Sequence, residues 1–409
     1  MVKNKLTESN TLFAKLLQCY LRFWAKWYLN RAKPQIIAVT GSVGKTSTKN
    51  AIFEVLRVKY GAAVRKAEGN LNNETGVPLA ILGMRQSPNS RLGWLPVLLA
   101  GKFKALFGKR VKILVLEMAA DKPGDIKYLT SFVKPNIAVL TSIGPAHIEA
   151  FGEIEKVAAE KTELLNALPS DGWAVLNIDD EVLKKIAAKT SWQTKTLALN
   201  EKADITAKNI TTEILDVDKW PQPLTKFQIV TGKVKFLAAT KTLGRQTNIY
   251  PALAATAVGD IFGLSPAQII DGLKNIKPEK HRLEVLAGKN GSLIIDDCYN
   301  ANPLSMRAAL DTLKVLPAKR KIAVLGDMLE LGTISQKAHQ IIGEYSRAIA
   351  NQTVAIGDLA KDYDADQYFS DKNEAINYLL NEIREGDIIL VKASRALALE
   401  EIVAALRER

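Results

Sequence analysis

The chain has 409 residues, 47% of them hydrophobic and 24% charged, enough to bury large cores in two or three domains and too apolar for a disordered chain. Lys and Arg number 56 against 43 Asp and Glu, a net charge of +13, which favours anionic partners such as nucleotides, phosphorylated substrates, nucleic acid or an acidic membrane surface. The two cysteines, Cys19 and Cys298, lie far apart and share no CxxC spacing, so neither a disulfide framework nor a cysteine zinc site is indicated and a reducing cytoplasm is expected.

At the start, "TLFAKLLQCYLRFWAKWYLN" (11–30) repeats Lys15, Arg22 and Lys26 at helical spacing among six aromatic side chains. Two readings stand: a helix lying in a membrane interface, or one capping the next domain with its aromatic face. No apolar run reaches the ~18 residues that span a bilayer and no signal peptide is recognisable, so no crossing is expected. From Gln35 the chain alternates β-rich runs with helical stretches: "QIIAVTG", a helix from Thr46, "VKILVLEMAA", "NIAVLTSIG" and "WAVLNIDD". That rhythm predicts a mostly parallel sheet covered by helices. The segment 87–110, with Trp94, several leucines and Lys102, Lys104, Lys109 and Arg110, reads either as a second membrane-touching element or as a buried connecting helix. Short alternating runs from about 195 to 245 predict antiparallel hairpins that extend the same domain, followed by a helix near 250–263. After Pro278 a second α/β series begins: "GSLIIDDCYN", "RKIAVLGDM", "QTVAIGD" and "DIILVKAS". The expected organisation is an amphipathic helix in 1–33, a P-loop ATPase domain in 34–278 carrying the 87–110 insertion, and a Rossmann-like α/β domain in 279–409.

The candidate site residues follow the same order. "TGSVGKTS" (40–47) follows a β-type run and opens a helix, the context in which backbone N–H groups of Gly41, Ser42, Val43, Gly44 and Lys45 converge on phosphate. Lys45 would neutralise phosphate charge, and Thr46, followed by Ser47, would ligate Mg²⁺. The generic pattern is half satisfied, because its first glycine falls at Val39. Asn70, Asn72 and Asn73 crowd one loop, which by itself is a set of Asx turns as readily as a binding site. Glu117 and His147 sit at carboxyl ends of predicted parallel strands, where ligands of open α/β sheets bind, and suggest Mg²⁺ ligation. Lys161, flanked by Glu160 and Glu163 on a helical pattern, reads by default as a solvated lysine in local ion pairs. Arg282 is available to phosphate, and Asp297, after a strand, to ribose hydroxyls. No nucleophile–base triad, zinc site or aromatic-studded nucleic-acid surface is present.

In consistent order over residues 35–409, "TGSVGKTS", "GNLNNETGVPLAIL", "LEMAADKPGDI", "TSIGPAH", "EKTELL", "DDCYNANPLSM", "VLGDMLELG" and "VKASRAL" resemble the Mur ligase family. "YNANP" and "GDMLELG" point within it to the branch that attaches D-Ala-D-Ala to a muramyl peptide. The family uses a shorter TGSxGKT loop, which accounts for the displaced glycine. The resemblance implies a cytoplasmic, monomeric ligase that uses ATP and Mg²⁺ to phosphorylate the peptide carboxylate of a nucleotide-linked muramyl peptide. The amine of D-Ala-D-Ala then attacks the acyl phosphate. It further implies Lys45 and Thr46 on the phosphates and Mg²⁺, Glu117 and His147 as metal ligands, and Lys161 as a lysine whose carbamate supports a second Mg²⁺. Arg282 and Asp297 would reach ATP from the carboxyl-terminal domain, Asn70, Asn72 and Asn73 would face the nucleotide-peptide, and Ser394 and Arg395 would seat D-Ala-D-Ala. In two places the reading departs from the family pattern: "GRQTNIYPALAA" has Thr247 and Pro251 where His and Asn are usual near adenine, and the aromatic-basic helix is expected to stand where the family has its UDP-gripping amino-terminal domain. A changed, membrane-held carrier and a folylpolyglutamate-type ligation are the alternative enzymatic expectations. A non-enzymatic nucleotide-binding scaffold is the other.

Overall fold

The computed structural model describes residues 12–85, 90–217, 220–232 and 234–408. Residues 1–11 of the expected amino-terminal segment and 87–89 of the expected insertion lie outside the described residues.

The first sheet has nine strands: β1 Gln35–Thr40, β2 Val64–Lys66, β3 Ile113–Glu117, β4 Ile137–Leu140, β5 Trp173–Asn177, β6 Gln193–Ala198, β7 Ile205–Val217, β8 Trp220–Thr231 and β9 Val234–Thr240. Their spatial order is β2-β3-β1-β4-β5-β6-β7-β8-β9. Pairing is parallel from β2 to β7 and antiparallel where β8 and β9 join, so the predicted hairpins extend one sheet. A second sheet is built from β10 Glu284–Ala287, β11 Leu293–Asp296, β12 Arg320–Gly326, β13 Gln352–Ile356, β14 Gln367–Phe369 and β15 Asp387–Lys392. Its order is β10-β11-β15-β12-β13-β14, parallel except for β10. Strands β2, β6, β10 and β14 escape the sequence reading because they are short or weakly apolar.

The helices are α1 Leu12–Ala32, α2 Lys45–Tyr60, α3 Gly76–Ile81, α4 Arg91–Phe107, α5 Asp125–Thr130, α6 Ile148–Phe151, α7 Ile154–Asn166, α8 Glu181–Lys189, α9 Tyr250–Ile261, α10 Pro266–Lys274, α11 Pro303–Val315, α12 Ser335–Arg347, α13 Lys372–Glu382 and α14 Glu400–Leu406. β1 explains the layering. Its side chains alternate, so Ile36 and Ala38 enter a core shared with α1, α3, α5 and α7, while Ile37 and Val39 enter one shared with α2, α9 and α10. Both faces are covered, as a parallel strand requires.

α1 contains no Gly, Pro or β-branched residue and is therefore helical throughout. It ends where Lys33 takes φ 47° and Pro34 withdraws a donor. Its Ala14, Leu17, Leu21, Ala25 and Tyr28 are buried, while Leu12, Leu16, Phe23 and Trp27 are exposed. The helix caps the domain as one reading expects, but through a largely aliphatic stripe with Tyr28, while Phe23 and Trp27 of the aromatic face that was expected to pack stay exposed. In α4, Trp94 and Ala105 are buried and Leu92, Leu95, Leu99, Phe103 and Phe107 exposed, so the expectation of a buried connecting helix is corrected. No helix among the described residues is long and apolar enough to cross a membrane.

Candidate active site

The three adjacent strands β3, β1 and β4 end side by side, and their following loops form one crevice, because the chain leaves β1 toward β2 and returns on its other side at β4. The glycine loop lies after β1. Gly44 takes φ 82°, and a Cβ there would stand 2.7 Å from the carbonyl oxygen of Gln246, so only glycine fits. The N–H groups of Ser42 and Val43 are taken by the Ser142 carbonyl (2.8 Å) and Ser142 Oγ (3.1 Å). This narrows the expected phosphate cradle to its carboxyl half, Gly44 and the first residues of α2. Lys45 Nζ donates to the Gly41 carbonyl at 2.7 Å, folding the side chain back over the loop. Burial holds its pKa below the ordinary lysine range, and the charge of Arg282 adds to that, against Glu117 and Asp121.

Glu117 closes β3 as expected. Its Oε1 accepts from Asn72 Nδ2 at 2.9 Å, and its Oε2 lies 3.6 Å from Lys49 Nζ, with the two side chains 3% and 2% exposed. Burial alone would raise its pKa, but Lys49, Lys45, the Asn72 bond and Arg282 outweigh it, and the carboxyl titrates below the ordinary range. Oε2 is buried without a hydrogen-bond partner among the described residues. An orphaned anionic oxygen beside a phosphate loop fits Mg²⁺, which supplies Lewis-acid charge to phosphate oxygens. Thr46, buried at the first turn of α2, adds a hydroxyl ligand type.

Of the asparagines, Asn73 Oδ1 accepts from the N–H of Gly76 (2.9 Å) and from Thr75 Oγ1 (3.2 Å). It closes an Asx turn that starts α3, while Asn72 orients Glu117. His147 takes φ 58° at the amino end of α6. Its Nδ1 is 2.5 Å from Glu330 Oε2 and its Nε2 3.7 Å from Asp121 Oδ1. Glu330 belongs to the "GDMLELG" segment after β12, so His147 joins the two halves of the chain and is grouped with Asp121 and Glu330 rather than with Glu117.

Lys161 is not a solvated lysine. It is 2% exposed, and burial first, then the charge of Lys45, push its pKa down to about 7, against Asp121 and Glu160. Glu160 is engaged elsewhere, accepting the N–H groups of Gly124 (2.7 Å) and Ile126 (2.6 Å) at the start of α5.

From the second half, Arg282 reaches Thr46 Oγ1 at 3.3 Å, lies 3.4 Å from Glu279 Oε2 and stacks 3.9 Å over the ring of Tyr299. Ser47, Asn50, Thr247, Glu279 and Arg282 line a small cavity at this junction, and Asn50 Nδ2 donates to Glu279 at 2.7 Å. Asp297 follows β11, but its Oδ2 is held by Lys392 Nζ at 2.6 Å and its Oδ1 accepts the N–H of Leu283. Burial raises its pKa despite Lys392. Ser394 Oγ accepts the N–H of Leu329 at 2.9 Å, and Arg395 pairs with Glu400 at 2.8 Å. The residues that sequence reasoning missed are Lys49, Asp121, Tyr299, Glu330 and Lys392. Lys49 had a signal, since it stands one helical turn after Lys45 on the same face.

The arrangement has the parts that phosphoryl transfer requires: a phosphate loop, a carboxylate for Mg²⁺, and cations converging from two directions. Comparison with known proteins agrees. Residues 39–259 match the Mur ligase middle domain, and 281–395 match the Mur ligase, glutamate ligase domain. The chain is 34% identical to the UDP-N-acetylmuramoyl-tripeptide--D-alanyl-D-alanine ligase of Bacillus subtilis, covering 94% of this chain and 78% of that one. Among solved structures, MurF from Acinetobacter baumannii superposes with a TM-score of 0.80 at 28% identity, covering 96% of this chain and 81% of that one. The MurF ligase of Thermotoga maritima in complex with ADP gives 0.80 at 27%, covering 95% and 83%.

Proposed function

The chain belongs to the Mur ligase family, and on that premise we propose that it joins D-Ala-D-Ala to the tripeptide carboxylate of a UDP-linked muramyl peptide, at the expense of ATP, in peptidoglycan synthesis. The observation that carries this reading is the reach of Arg282, from beyond the first sheet, to Thr46 at the head of the phosphate-loop helix. A cation from one half and a phosphate loop from the other then act on the same phosphates.

A carboxylate is a poor acyl donor. Its oxygen attacks the γ-phosphorus and ADP departs. The amine nitrogen then attacks the acyl carbon, phosphate leaves, and the amine loses a proton. Lys45 and Arg282 neutralise charge on the transferring phosphoryl group. Thr46 and Glu117 would hold Mg²⁺, which would supply Lewis-acid charge to the phosphate oxygens, while His147, held by Glu330 and Asp121, would add an imidazole ligand only by leaving those partners. The lowered pKa of Lys161 leaves a large fraction as free amine near neutral pH, the form that adds CO₂ to give a carbamate and a proton, and the product is an anion able to support a second Mg²⁺. Asp297, held by Lys392, would present the backbone around β11 to the ribose, and Asn70, Asn72 and Asn73 would edge the nucleotide-peptide pocket. Ser394 and Arg395 would border the D-Ala-D-Ala side. The reading includes a cytoplasmic monomer divided into the regions 1–33, 34–278 and 279–409.

Purified protein supplied with ATP, Mg²⁺, the UDP-linked tripeptide and D-Ala-D-Ala is expected to release phosphate and yield a product heavier by D-Ala-D-Ala less one water, read by mass spectrometry. Phosphate release with folate and glutamate instead would overturn the reading in favour of folylpolyglutamate-type ligation.

A further inference from the structure

We propose that α1 and α4 together form a membrane-docking face that seats the protein on an anionic lipid bilayer without crossing it. The inference rests on this surface and not on the reaction. The two helices run parallel and side by side. Tyr20 Oη donates to the Leu98 carbonyl at 3.3 Å, Lys102 lies 5.6 Å over the Trp24 ring, Tyr28 Oη donates to the Lys109 carbonyl at 2.9 Å, and Arg31 donates to the carbonyls of Leu106 and Gly108. That register places the exposed stripes next to each other.

Each stripe repeats at the spacing of a helical turn. On α1 it is Leu12, Leu16, Phe23 and Trp27, and on α4 it is Leu92, Leu95, Leu99, Phe103 and Phe107. These side chains are 48% to 87% exposed, on the order of 1,000 Å² of apolar surface, well above the largest patch on a typical soluble monomer. Neighbouring rings pack on one another at the surface, Phe103 on Phe107 at 5.2 Å and Phe23 on Trp24 at 5.1 Å.

Charge selects the occupant. Residues 9–53 and 75–116 contain no Asp or Glu. Lys15, Arg22 and Lys26 flank the α1 stripe on one side, and Lys109 and Arg110 follow the end of α4, all five exposed. An apolar stripe flanked by exposed cations, on two helices that carry no carboxylate of their own, matches the interface of an anionic bilayer, where acyl chains take the rings and headgroups take the cations.

The test uses the whole chain and sedimentation with large vesicles, of phosphatidylcholine alone or with about one-third phosphatidylglycerol. Binding to the anionic vesicles is expected, weakening several-fold between about 0.1 M and about 0.5 M salt. Lys15→Glu with Lys26→Glu should lower partitioning by more than about tenfold, since each basic residue near the surface is worth about fivefold. Phe23→Ser with Phe103→Ser should lower it by at least about tenfold while far-UV circular dichroism and ATP turnover stay unchanged. Failure of the wild-type chain to sediment with anionic vesicles, or equal sedimentation with both compositions, overturns the proposal. So does a dimer in analytical ultracentrifugation that the Phe23→Ser, Phe103→Ser variant splits, because the face would then cover a second copy.

Discussion

Lys49→Met probes the least expected contact in the site. Lys49 and Glu117 are 2% and 3% exposed and 3.6 Å apart, so removing the ammonium leaves a buried carboxylate whose Oε1 keeps only the Asn72 bond. Breaking one partner of such a pair costs about 3–5 kcal/mol, and a separation beyond hydrogen-bond length places this case near ~3 kcal/mol. At roughly 2–4 °C per kcal/mol for units of this size, the melting temperature should fall by on the order of 6–12 °C. Glu117→Gln added to Lys49→Met removes the stranded charge and should recover most of that loss, without restoring ligation, because a neutral amide is a weak Mg²⁺ ligand. Differential scanning calorimetry of the four proteins of this cycle, with and without Mg²⁺ and ADP, measures it. The bound cation should narrow the deficit of Lys49→Met by replacing the missing charge. A Lys49→Met protein melting within about 1 °C of wild type, or a double variant no more stable than the single, refutes the assignment of Lys49 as the counter-charge of Glu117.

Lys161 has a folded pKa of about 7 against the ordinary 10.5 of an unfolded lysine, so the unfolded chain binds more protons between those values and stability rises with pH across that window. In bicarbonate-free buffer the gain from pH ~7 to pH ~9 should be about 2 kcal/mol by urea unfolding, and Lys161→Met should abolish that increment. Arg282→Lys keeps the charge but loses the planar stack on Tyr299 and the forked reach to Thr46. Steady-state phosphate release should fall about 10²-fold or more and not recover at high ATP. Gly44→Ala places a methyl group 2.7 Å from the Gln246 carbonyl oxygen at φ 82°, so ADP binding by calorimetry should weaken by at least about tenfold, with the helical spectrum retained.

The fold was largely legible because its signals are local. β1, β3 and β4 are short apolar runs followed by helices, and the Gly44–Lys45–Thr46 loop between the first strand and its helix needs no distant partner to be recognised. What stayed hidden depends on partners far along the chain. Lys161 has the sequence surroundings of a surface lysine, and only its seat under the strand ends removes water from it. Asp297 has the sequence position of a ribose ligand, but Lys392, the last residue of β15, takes its carboxylate. His147 has the sequence position of a strand-end metal ligand, whereas its contact with Glu330, from the loop after β12, depends on the second sheet being placed against the first.

α1 makes the same point from the opposite side. A helix with aromatic and aliphatic side chains on most of its circumference carries no local mark of which face is core, since Ala14, Leu17, Leu21, Ala25 and Tyr28 are no more apolar as a set than Leu12, Leu16, Phe23 and Trp27. The choice is made by α3 and by α4, which begins nearly sixty residues after α1 ends. Once one stripe is covered, the rest of the circumference must meet something other than protein core, and the cations beside it determine what that surface can attract. The helix therefore packs on the domain through a largely aliphatic stripe, not through the aromatic face expected of a cap, and is left with a second apolar face because it does so.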